Sequence, residues 1–411
     1  MAHITPNPSD DQAGGGPLLG DVLVTGGSGF LGYHLVGQLL ADPECGAVHV
    51  LDRVAAGSSS SANHHAGATY HACSVEDAAG VRALLSSARP RVVFHCSSPN
   101  FSFPDEAGRA RGRGAAADQL ESNVDGTRVL LDEARRCGSV AALVLAATID
   151  MYRNPPHVDG DESLPTWADV DDGPGPPEEA YARSKAAAHK LVLAANEPDS
   201  LSSSASGRPP LKTASLVLAH AYGERDSQMV RTMLGTAARP GVPFVQIGAG
   251  GNAIEVVDVA NAAAALRLAA KALLDRSRAS GRVDGEAFNV SDGRPVPFWH
   301  HVRVMYDAAQ RHYGTKGEPR VVVVPGWVMR AVVWIVYWTL AIFTLGRVRP
   351  PVSLSRQALV YSLHSHTYST RKIRERLGFE PASDHDAVVA AAMEWELKRR
   401  EAETGTAKKV A

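Results

Sequence analysis

The sequence predicts an α/β protein with a doubly wound parallel sheet and a smaller, mainly helical C-terminal substrate region. Three observations predict this class. An apolar, β-branched segment at 21–25 runs directly into the glycine-rich stretch 25–32. Apolar residues then recur at helical spacing over 30–40, and a second apolar segment, 47–51, ends at Asp52. A strand, a glycine turn, a helix and a second strand in this order are typical of the first unit of such a sheet.

The glycine-rich stretch is predicted to bind the pyrophosphate of a dinucleotide, as in Rossmann-type domains. Gly26 can adopt backbone angles that a side chain would forbid, Gly29 lets the main chain approach the anion, and Gly32 lets the helix pack on the strand. The N–H groups at the start of the helix then face the anion. The predicted cofactor contacts in this stretch are Gly26, Gly27, Ser28, Gly29, Phe30, Leu31 and Gly32.

The acid at the end of the second strand indicates which dinucleotide is bound. Asp52 follows Gly32 by 20 residues, where a carboxylate would accept hydrogen bonds from the adenosine ribose and repel a 2′-phosphate. NAD is therefore the expected cofactor. Arg53 could pair with a phosphate and leaves NADP as the alternative.

A tyrosine and a lysine one helical turn apart predict the chemistry. Tyr181 and Lys185 lie in the alanine-rich stretch 180–195, so a helix places them on one face. Oxidising a secondary alcohol requires a base for the hydroxyl proton, and a nearby ammonium favours the phenolate. Tyr181 is the predicted general acid/base, and Lys185 is its electrostatic partner and a ligand of the ribose. Thr148, which ends the predicted strand 141–147, is expected to hydrogen-bond the substrate oxygen. A solvated helical pair is the alternative for Tyr181 and Lys185.

These motifs together resemble the extended short-chain dehydrogenase/reductase family. More narrowly, the chain resembles the 3β-hydroxysteroid dehydrogenase branch, which includes the sterol-4α-carboxylate 3-dehydrogenases (decarboxylating). The resemblance runs from about residue 21 to residue 397 and rests on an ordered set of segments: 25–32, 92–99, 123–127, 160–165, 257–261, 287–290, 297–299 and 377–381.

The resemblance implies further roles. It makes Ser97 a cofactor contact and Asn123 a residue that orients water near Lys185. It also implies a sterol or sterol-like terpenoid substrate and a cytosol-facing location on the endoplasmic reticulum membrane, with a cytoplasmic location as the alternative. Homodimer formation stays open. The chain departs from the family where Ala146 and Ala147 replace paired serines, so the hydroxyl role falls to Thr148 alone.

The expected reaction is NAD-dependent oxidation of a 3β-hydroxyl to a ketone, with loss of CO2 where a 4α-carboxylate is present. One alternative is a reductase or epimerase that acts on another small molecule, such as a phenolic ketone or a nucleotide sugar. A second alternative is a non-catalytic, cofactor-sensing regulator, although such proteins typically lose the tyrosine and lysine that this chain retains.

Composition limits the remaining possibilities. The formal net charge of 411 residues is −2, which gives no indication of a nucleic-acid surface. Four cysteines lack metal spacing, and His64, His65 and His71 are predicted to be solvated loop residues, so no metal site is expected. The predicted organisation is a disordered tail at 1–20, a cofactor domain at 21–221 and a substrate region at 222–411, with segments crossing between the last two. Residues 211–221 add a later strand to the cofactor domain.

One apolar segment, 327–346, is predicted to associate with a membrane. It has no charged residue from 331 to 345, and it contains Trp334, Tyr337 and Trp338, residue types that favour a bilayer interface. Three interpretations are open: a helix that lies in the interface, a buried helix that lines a sterol pocket, and a span with flanking arginines.

Overall fold

The structure is a computed structural model. It describes residues 17–53, 63–99, 119–153, 155–169, 179–199, 208–226, 229–236, 242–275, 281–314, 320–345, 354 and 356–410. Most of the predicted tail therefore lies outside the described residues. Leu19 is fully buried and Gly20 begins the first strand, so the folded chain starts before the predicted end of the tail at residue 20.

The strands of the described residues are β1 (Gly20–Thr25), β2 (Cys45–Asp52), β3 (Thr69–Ala72), β4 (Val92–His95), β5 (Ala142–Thr148), β6 (His157–Gly160), β7 (Lys212–Leu218), β8 (His220–Tyr222), β9 (Phe244–Ile247), β10 (Ala253–Ile254), β11 (Val256–Asp258), β12 (Glu286–Val290), β13 (Val296–Pro297), β14 (Val321–Val324) and β15 (His366–Tyr368). The helices are α1 (Phe30–Leu40), α2 (Ala78–Ala88), α3 (Gly126–Cys137), α4 (Ala180–Ala194), α5 (Met229–Thr236), α6 (Val259–Leu274), α7 (Phe298–His312), α8 (Gly326–Phe343), α9 (Arg356–Leu363), α10 (Arg371–Leu377) and α11 (His385–Val410).

Seven parallel strands form the main sheet, in the order β12-β7-β5-β4-β1-β2-β3. The central strands are apolar and buried along nearly their whole length, as expected of a sheet covered on both faces. One helical layer contains α1 and α6, and the other contains α2, α3 and α4. The predicted doubly wound parallel sheet is confirmed.

The strand order reverses between β1 and β4, and this reversal positions the site. The chain builds outward from β1 through β2 and β3 on one side, and from β4 through β5 and β7 on the other. Thr25 and His95, the last residues of β1 and β4, are register partners. A crevice opens outside the carboxyl ends of strands at such a switch point, and ligands bind there.

Segments from both halves of the chain cross between the two regions. β12 and α6 come from the C-terminal half, yet β12 pairs with β7 in the main sheet and α6 packs on β5 and β7. Conversely, β6 joins the small sheet β13-β10-β15-β6. β12 thus joins the main sheet from beyond residue 221, in line with the predicted crossing of segments, and the division at residue 221 stays a prediction.

The predicted strand at 211–221 is also corrected. It is divided into β7, in the main sheet, and β8, which pairs in parallel with β11. The chain changes partner at Ala219. The sequence does not mark this change, because no glycine or proline stands between the two strands.

Helix α8 has no buried residue. It is 18 residues long with a mean hydropathy of 1.6, and among the described residues it alone is long and apolar enough to cross a membrane. Its exposed large side chains are Trp327, Trp334, Ile335, Tyr337, Trp338, Ile342 and Phe343. The interpretation of this segment as a buried helix lining a pocket is wrong.

Candidate active site

The turn between β1 and α1 is held in shape by contacts that only glycine allows. Gly26 has a φ of +72°, in the left-handed region. A Cβ on Gly32 would lie 2.2 Å from the carbonyl oxygen of Gly26, and a Cβ on Gly27 would lie 2.5 Å from a methyl group of Val50. The turn therefore packs backbone against backbone, and larger residues would displace it.

The first turn of α1 lacks a side-chain cap. Gly29 is its N-cap residue and makes no side-chain hydrogen bond, whereas Asp77 caps α2 and Asp258 caps α6 through their carboxylates. The N–H groups of an uncapped first turn carry partial positive charge and bind anions. The predicted cradle 26–32 thus fits the pyrophosphate of a dinucleotide.

The end of β2 brings Asp52 to this turn. One carboxylate oxygen of Asp52 accepts the N–H of Ser28 at 3.1 Å. His64 also reaches the turn, with Nε2 3.2 Å from the Ser28 hydroxyl and its ring stacked on Tyr70. His65 stacks on Tyr33. The prediction that these histidines are solvated loop residues is wrong, because each packs on an aromatic ring next to the cofactor cradle.

A buried histidine links the cradle to the helices behind it. His95 Nδ1 lies 2.8 Å from the Thr25 hydroxyl, and Nε2 lies 2.9 Å from the Thr127 hydroxyl. Thr127 donates to the carbonyl of Asn123 at 2.5 Å, so it accepts the Nε2 proton of His95. Burial, together with the charge of Lys185, lowers the pKa of His95 to about 3. The ring is therefore neutral and serves as a fixed hydrogen-bonding bridge.

Ser97 packs against the glycine turn, and its role as a cofactor contact stays a prediction. Its hydroxyl accepts from Thr25 at 3.1 Å, its N–H donates to the Thr25 hydroxyl at 3.2 Å, and its Cα lies directly against Gly26. Ser97 therefore forms the wall of the crevice opposite the glycine turn.

Tyr181 and Thr148 meet at the end of β5. Tyr181 lies in the first turn of α4, is half-buried, and is hydrogen-bonded to Thr148. Burial raises the pKa of Tyr181, and the negative charge of Asp150 raises it further, whereas the hydrogen bond between Tyr181 and Thr148 lowers it. Lys185 is not among the groups that shift the pKa of Tyr181 in this structure.

Lys185 lies one turn further along α4, with its side chain buried. Its Nζ donates to the carbonyl of Ala146 at 2.9 Å. Burial lowers the pKa of Lys185 to about 8, and the nearby Cys96 acts weakly in the opposite direction. The ammonium is thus held beneath the end of β5 by a single backbone acceptor.

Asn123 is the residue for which the local backbone is unusual. It lies in a π-helical turn, Glu121–Asp125, directly before α3, and such turns occur frequently at functional sites. Its Nδ2 donates to Ser184 at 2.9 Å and to Gln119 at 3.1 Å. Its Oδ1 is buried and has no hydrogen-bond partner among the described residues, so it is available to a water molecule near Lys185.

The sequence model of one protein family covers most of this chain. Residues 23–316 match the 3-beta hydroxysteroid dehydrogenase/isomerase family. The chain belongs to this family.

Curated relatives agree with this family assignment. The sterol-4-alpha-carboxylate 3-dehydrogenase, decarboxylating, of Gibberella zeae is 28% identical over 77% of this chain and 95% of that protein. The protein of the same name from Saccharomyces cerevisiae is 30% identical over 70% of this chain and 75% of that protein. The predicted resemblance to the 3β-hydroxysteroid dehydrogenase branch is confirmed, and the chain is an oxidoreductase of the kind that acts on CH–OH groups.

A solved structure supports the fold of this family member. The NAD complex of UDP-glucose 4-epimerase from Thermus thermophilus superposes with a TM-score of 0.58, at 22% identity, over 91% of this chain and 98% of that chain. At this identity the likeness concerns the fold alone.

One side chain at the catalytic centre of this family member was not predicted from the sequence. Asp150 lies in the short 3-10 turn Ile149–Met151, directly after Thr148. Its Oδ2 accepts from the Thr148 hydroxyl at 3.3 Å, and its Oδ1 accepts from the Tyr361 hydroxyl at 2.6 Å. Asp150 is not part of a recognisable sequence motif, and its partner Tyr361 lies 211 positions away in the chain.

The sequence also did not identify a cluster of metal-type ligands remote from the motifs. Donor atoms of His300, His385 and Asp386 all lie within 4.8 Å of one another, between the starts of α7 and α11. They are hydrogen-bonded to one another: His300 Nε2 and His385 Nδ1 each lie within 3 Å of the Asp386 carboxylate. The absence of a metal site stays a prediction.

Proposed function

We propose that this protein oxidises the 3β-hydroxyl of a sterol or sterol-like terpenoid to the ketone, with NAD as the hydride acceptor. The observation that carries the proposal is the meeting of Tyr181 and Thr148 at the end of β5, beside the switch-point crevice that Ser97 and the glycine turn enclose. The substrate class comes from the relatives, which are named for action at position 3 of sterols.

In this proposal, the chain's own residues bind and deprotonate the alcohol. Thr148 hydrogen-bonds the substrate oxygen, and the Tyr181 phenolate removes the hydroxyl proton. NAD bound in the cradle would supply the hydride acceptor, and its positive charge would favour the phenolate form of Tyr181. Lys185 holds a ribose hydroxyl, and Asn123 orients a water molecule through its Oδ1 so that the proton leaves the site.

The experiment uses purified full-length protein, NAD and a panel of 3β-hydroxysterols with and without a 4α-carboxylate, with NADH absorbance and CO2 as readouts. Tyr181→Phe should lower kcat by about 10²- to 10⁴-fold while NAD affinity stays near that of wild type. The matched control is Tyr313→Phe, because Tyr313 is exposed at the end of α7. Turnover retained by Tyr181→Phe would contradict the assignment, and turnover of nucleotide sugars but not sterols would favour the epimerase alternative.

The preference for NAD over NADP rests on Asp52. Its carboxylate lies at the glycine turn, where it would repel a 2′-phosphate and accept hydrogen bonds from the ribose. Asp52→Ser should therefore lower the ratio of kcat/KM for NAD to that for NADP by about tenfold or more. An unchanged ratio would show that Asp52 does not determine the preference for NAD.

A substrate with a 4α-carboxylate would lose CO2 after oxidation. The 3-ketone places a carbonyl β to that carboxylate, so the electron pair of the breaking C–C bond enters the enolate. No further protein nucleophile is needed. Whether this step occurs depends on which C4 substituent the site accepts.

We also propose that α8 docks the protein on the cytosolic face of the endoplasmic reticulum membrane and lies in the bilayer interface. An 18-residue helix is about 27 Å long, slightly less than the roughly 30 Å hydrocarbon core. Its tryptophans and Tyr337 suit the interface, and Arg330 lies within the helix. A homodimer is compatible with this arrangement.

The docking is tested by liposome flotation and alkaline carbonate extraction. Trp334 and Phe343 are 64% and 83% exposed, and replacing both with glutamate should abolish most binding, since each inserted side chain contributes about 1.5–3 kcal/mol. Val158→Glu, at an exposed apolar residue outside α8, is the control. Extraction by carbonate indicates an interfacial helix, and resistance to it would favour a span.

A further inference from the structure

A carboxylate lies where the substrate's reacting oxygen is expected to bind. Asp150 is partly buried beside Thr148, and its two oxygens accept from the hydroxyls of Thr148 and Tyr361. Tyr361 is itself fixed, because its ring stacks on His366 at a centroid distance of 4.3 Å. Two distant parts of the chain thus hold the Asp150 carboxylate at the catalytic centre.

No cation among the described residues pairs with the carboxylate of Asp150. Within the part of the chain that the structure describes, its hydrogen-bonding side chains are both uncharged hydroxyls, and it forms no ion pair. Its negative charge acts on the surrounding phenols, since it raises the pKa of Tyr181, Tyr361 and Tyr368. Asp150 therefore places a negative charge directly beside Thr148 and the phenols around it.

The negative charge of Asp150 would act on a charged substituent at C4, the carbon next to the reacting C3. If the C3 hydroxyl binds to Thr148 and Tyr181, it lies about 2.8 Å from the Thr148 oxygen. Asp150 Oδ2 lies 3.3 Å from the same Thr148 oxygen, so a carboxylate on C4, the neighbouring carbon, would come within roughly 5 to 8 Å of Asp150. At an effective dielectric constant of about 20 to 40, repulsion over that distance lowers kcat/KM by about ten- to a hundredfold.

We propose that Asp150 is a specificity-determining residue that selects sterols with an uncharged C4 position and disfavours 4α-carboxylates. The inference rests on the proposed 3β-hydroxysterol oxidation and narrows its substrate class. It also separates this chain from the relatives, whose names specify a 4α-carboxylate. The reaction that remains is simple oxidation of the alcohol, without loss of CO2.

The test compares kcat/KM for two sterols that differ only at C4, one bearing a 4α-methyl group and the other a 4α-carboxylate. Wild type should prefer the 4α-methyl sterol. Asp150→Asn keeps the shape and removes the charge, and it should shift the ratio toward the carboxylate by about ten- to a hundredfold. Asp132→Asn, at an exposed carboxylate on α3, is the matched control and should leave the ratio at its wild-type value.

The ratio separates specificity from a structural role, because loss of folding or of Thr148 positioning lowers kcat/KM for both sterols together. Binding of NAD by Asp150→Asn confirms that the variant is folded. A wild-type preference for the 4α-carboxylate, or an unmoved ratio in Asp150→Asn, overturns the inference while the proposed function stands. No oxidation of either sterol by wild type contradicts the proposed function, and the inference falls with it.

Discussion

Replacing Lys185 with methionine is expected to stabilise the protein while it removes activity. The side chain is 5% exposed, and burial lowers its pKa from 10.5 to about 8. At neutral pH the folded protein therefore holds an ammonium that burial disfavours, at a cost of about 3 kcal/mol. Methionine fills a similar space without a charge.

One favourable interaction is lost in the exchange. The Nζ of Lys185 donates to the carbonyl of Ala146 at 2.9 Å, and removing this donor costs about 1 to 3 kcal/mol. The net gain in free energy of unfolding at pH 7 is then about 0 to 2 kcal/mol. NADH formation should fall by about a hundredfold or more, because the site loses the ammonium that is proposed to hold and orient the cofactor ribose.

The stability advantage of Lys185→Met over wild type should decrease as the pH rises. The folded state releases the Lys185 proton near pH 8, whereas the unfolded chain keeps it until about pH 10.5. The unfolded state binds more protons in this window, so wild-type stability from this residue rises with pH. The advantage of Lys185→Met should therefore shrink by about 2 kcal/mol between pH 7 and pH 9.5.

The assay is urea unfolding followed by tryptophan fluorescence at pH 7, 8.5 and 9.5. Lys190→Met, at an exposed lysine on the same helix, is the control and should show no such trend. Other titrating groups cancel in the difference between variant and wild type. A Lys185→Met protein that is less stable than wild type by the same amount at every pH would refute the argument from the cost of burial.

The cradle and an ion-pair network give two further predictions. Gly32→Ala should weaken NAD binding by about tenfold or more, because the added Cβ would lie 2.2 Å from a backbone oxygen. Gly251→Ala is the control: its Cβ would meet no atom within 4 Å, so this variant should bind NAD like wild type. Fluorescence titration with NAD measures both affinities. Hydrogen bonds from Arg208 lower the pKa of the buried Glu197 to about 2. Glu197→Gln should therefore lower the free energy of unfolding by about 2 to 3 kcal/mol at pH 7. Denaturant unfolding should show this difference from wild type narrowing as the pH falls from 4.5 toward 2, because the wild-type carboxylate becomes protonated. A difference that stays constant over this range would contradict the prediction.

The parts of the site that could be predicted are those written in consecutive residues. The helix α1 occupies the predicted range, and the glycine turn is where the sequence places it. Tyr181 and Lys185 share α4 because their spacing of four residues matches a helical turn. Thr148 ends a strand whose apolar run is visible in the sequence.

Contacts between distant segments could not be predicted in this way. The His95 bridge joins Thr25 to Thr127, and each of the three residue types is common in many other roles. His64 and His65 lie in a polar stretch of the sequence, and only the structure shows that they stack on Tyr70 and Tyr33.

The sequence by itself determined the chemistry that lies within single elements: the cradle for the cofactor and the phenol with its lysine. Only the tertiary structure decided which charges surround that phenol. It brought Tyr361 to Asp150 from 211 positions away and placed the charge of Asp150 close enough to Tyr181 to raise its pKa. Local sequence fixes backbone geometry through sterics and hydrogen bonding, whereas the potential at a site depends on every segment that packs against it.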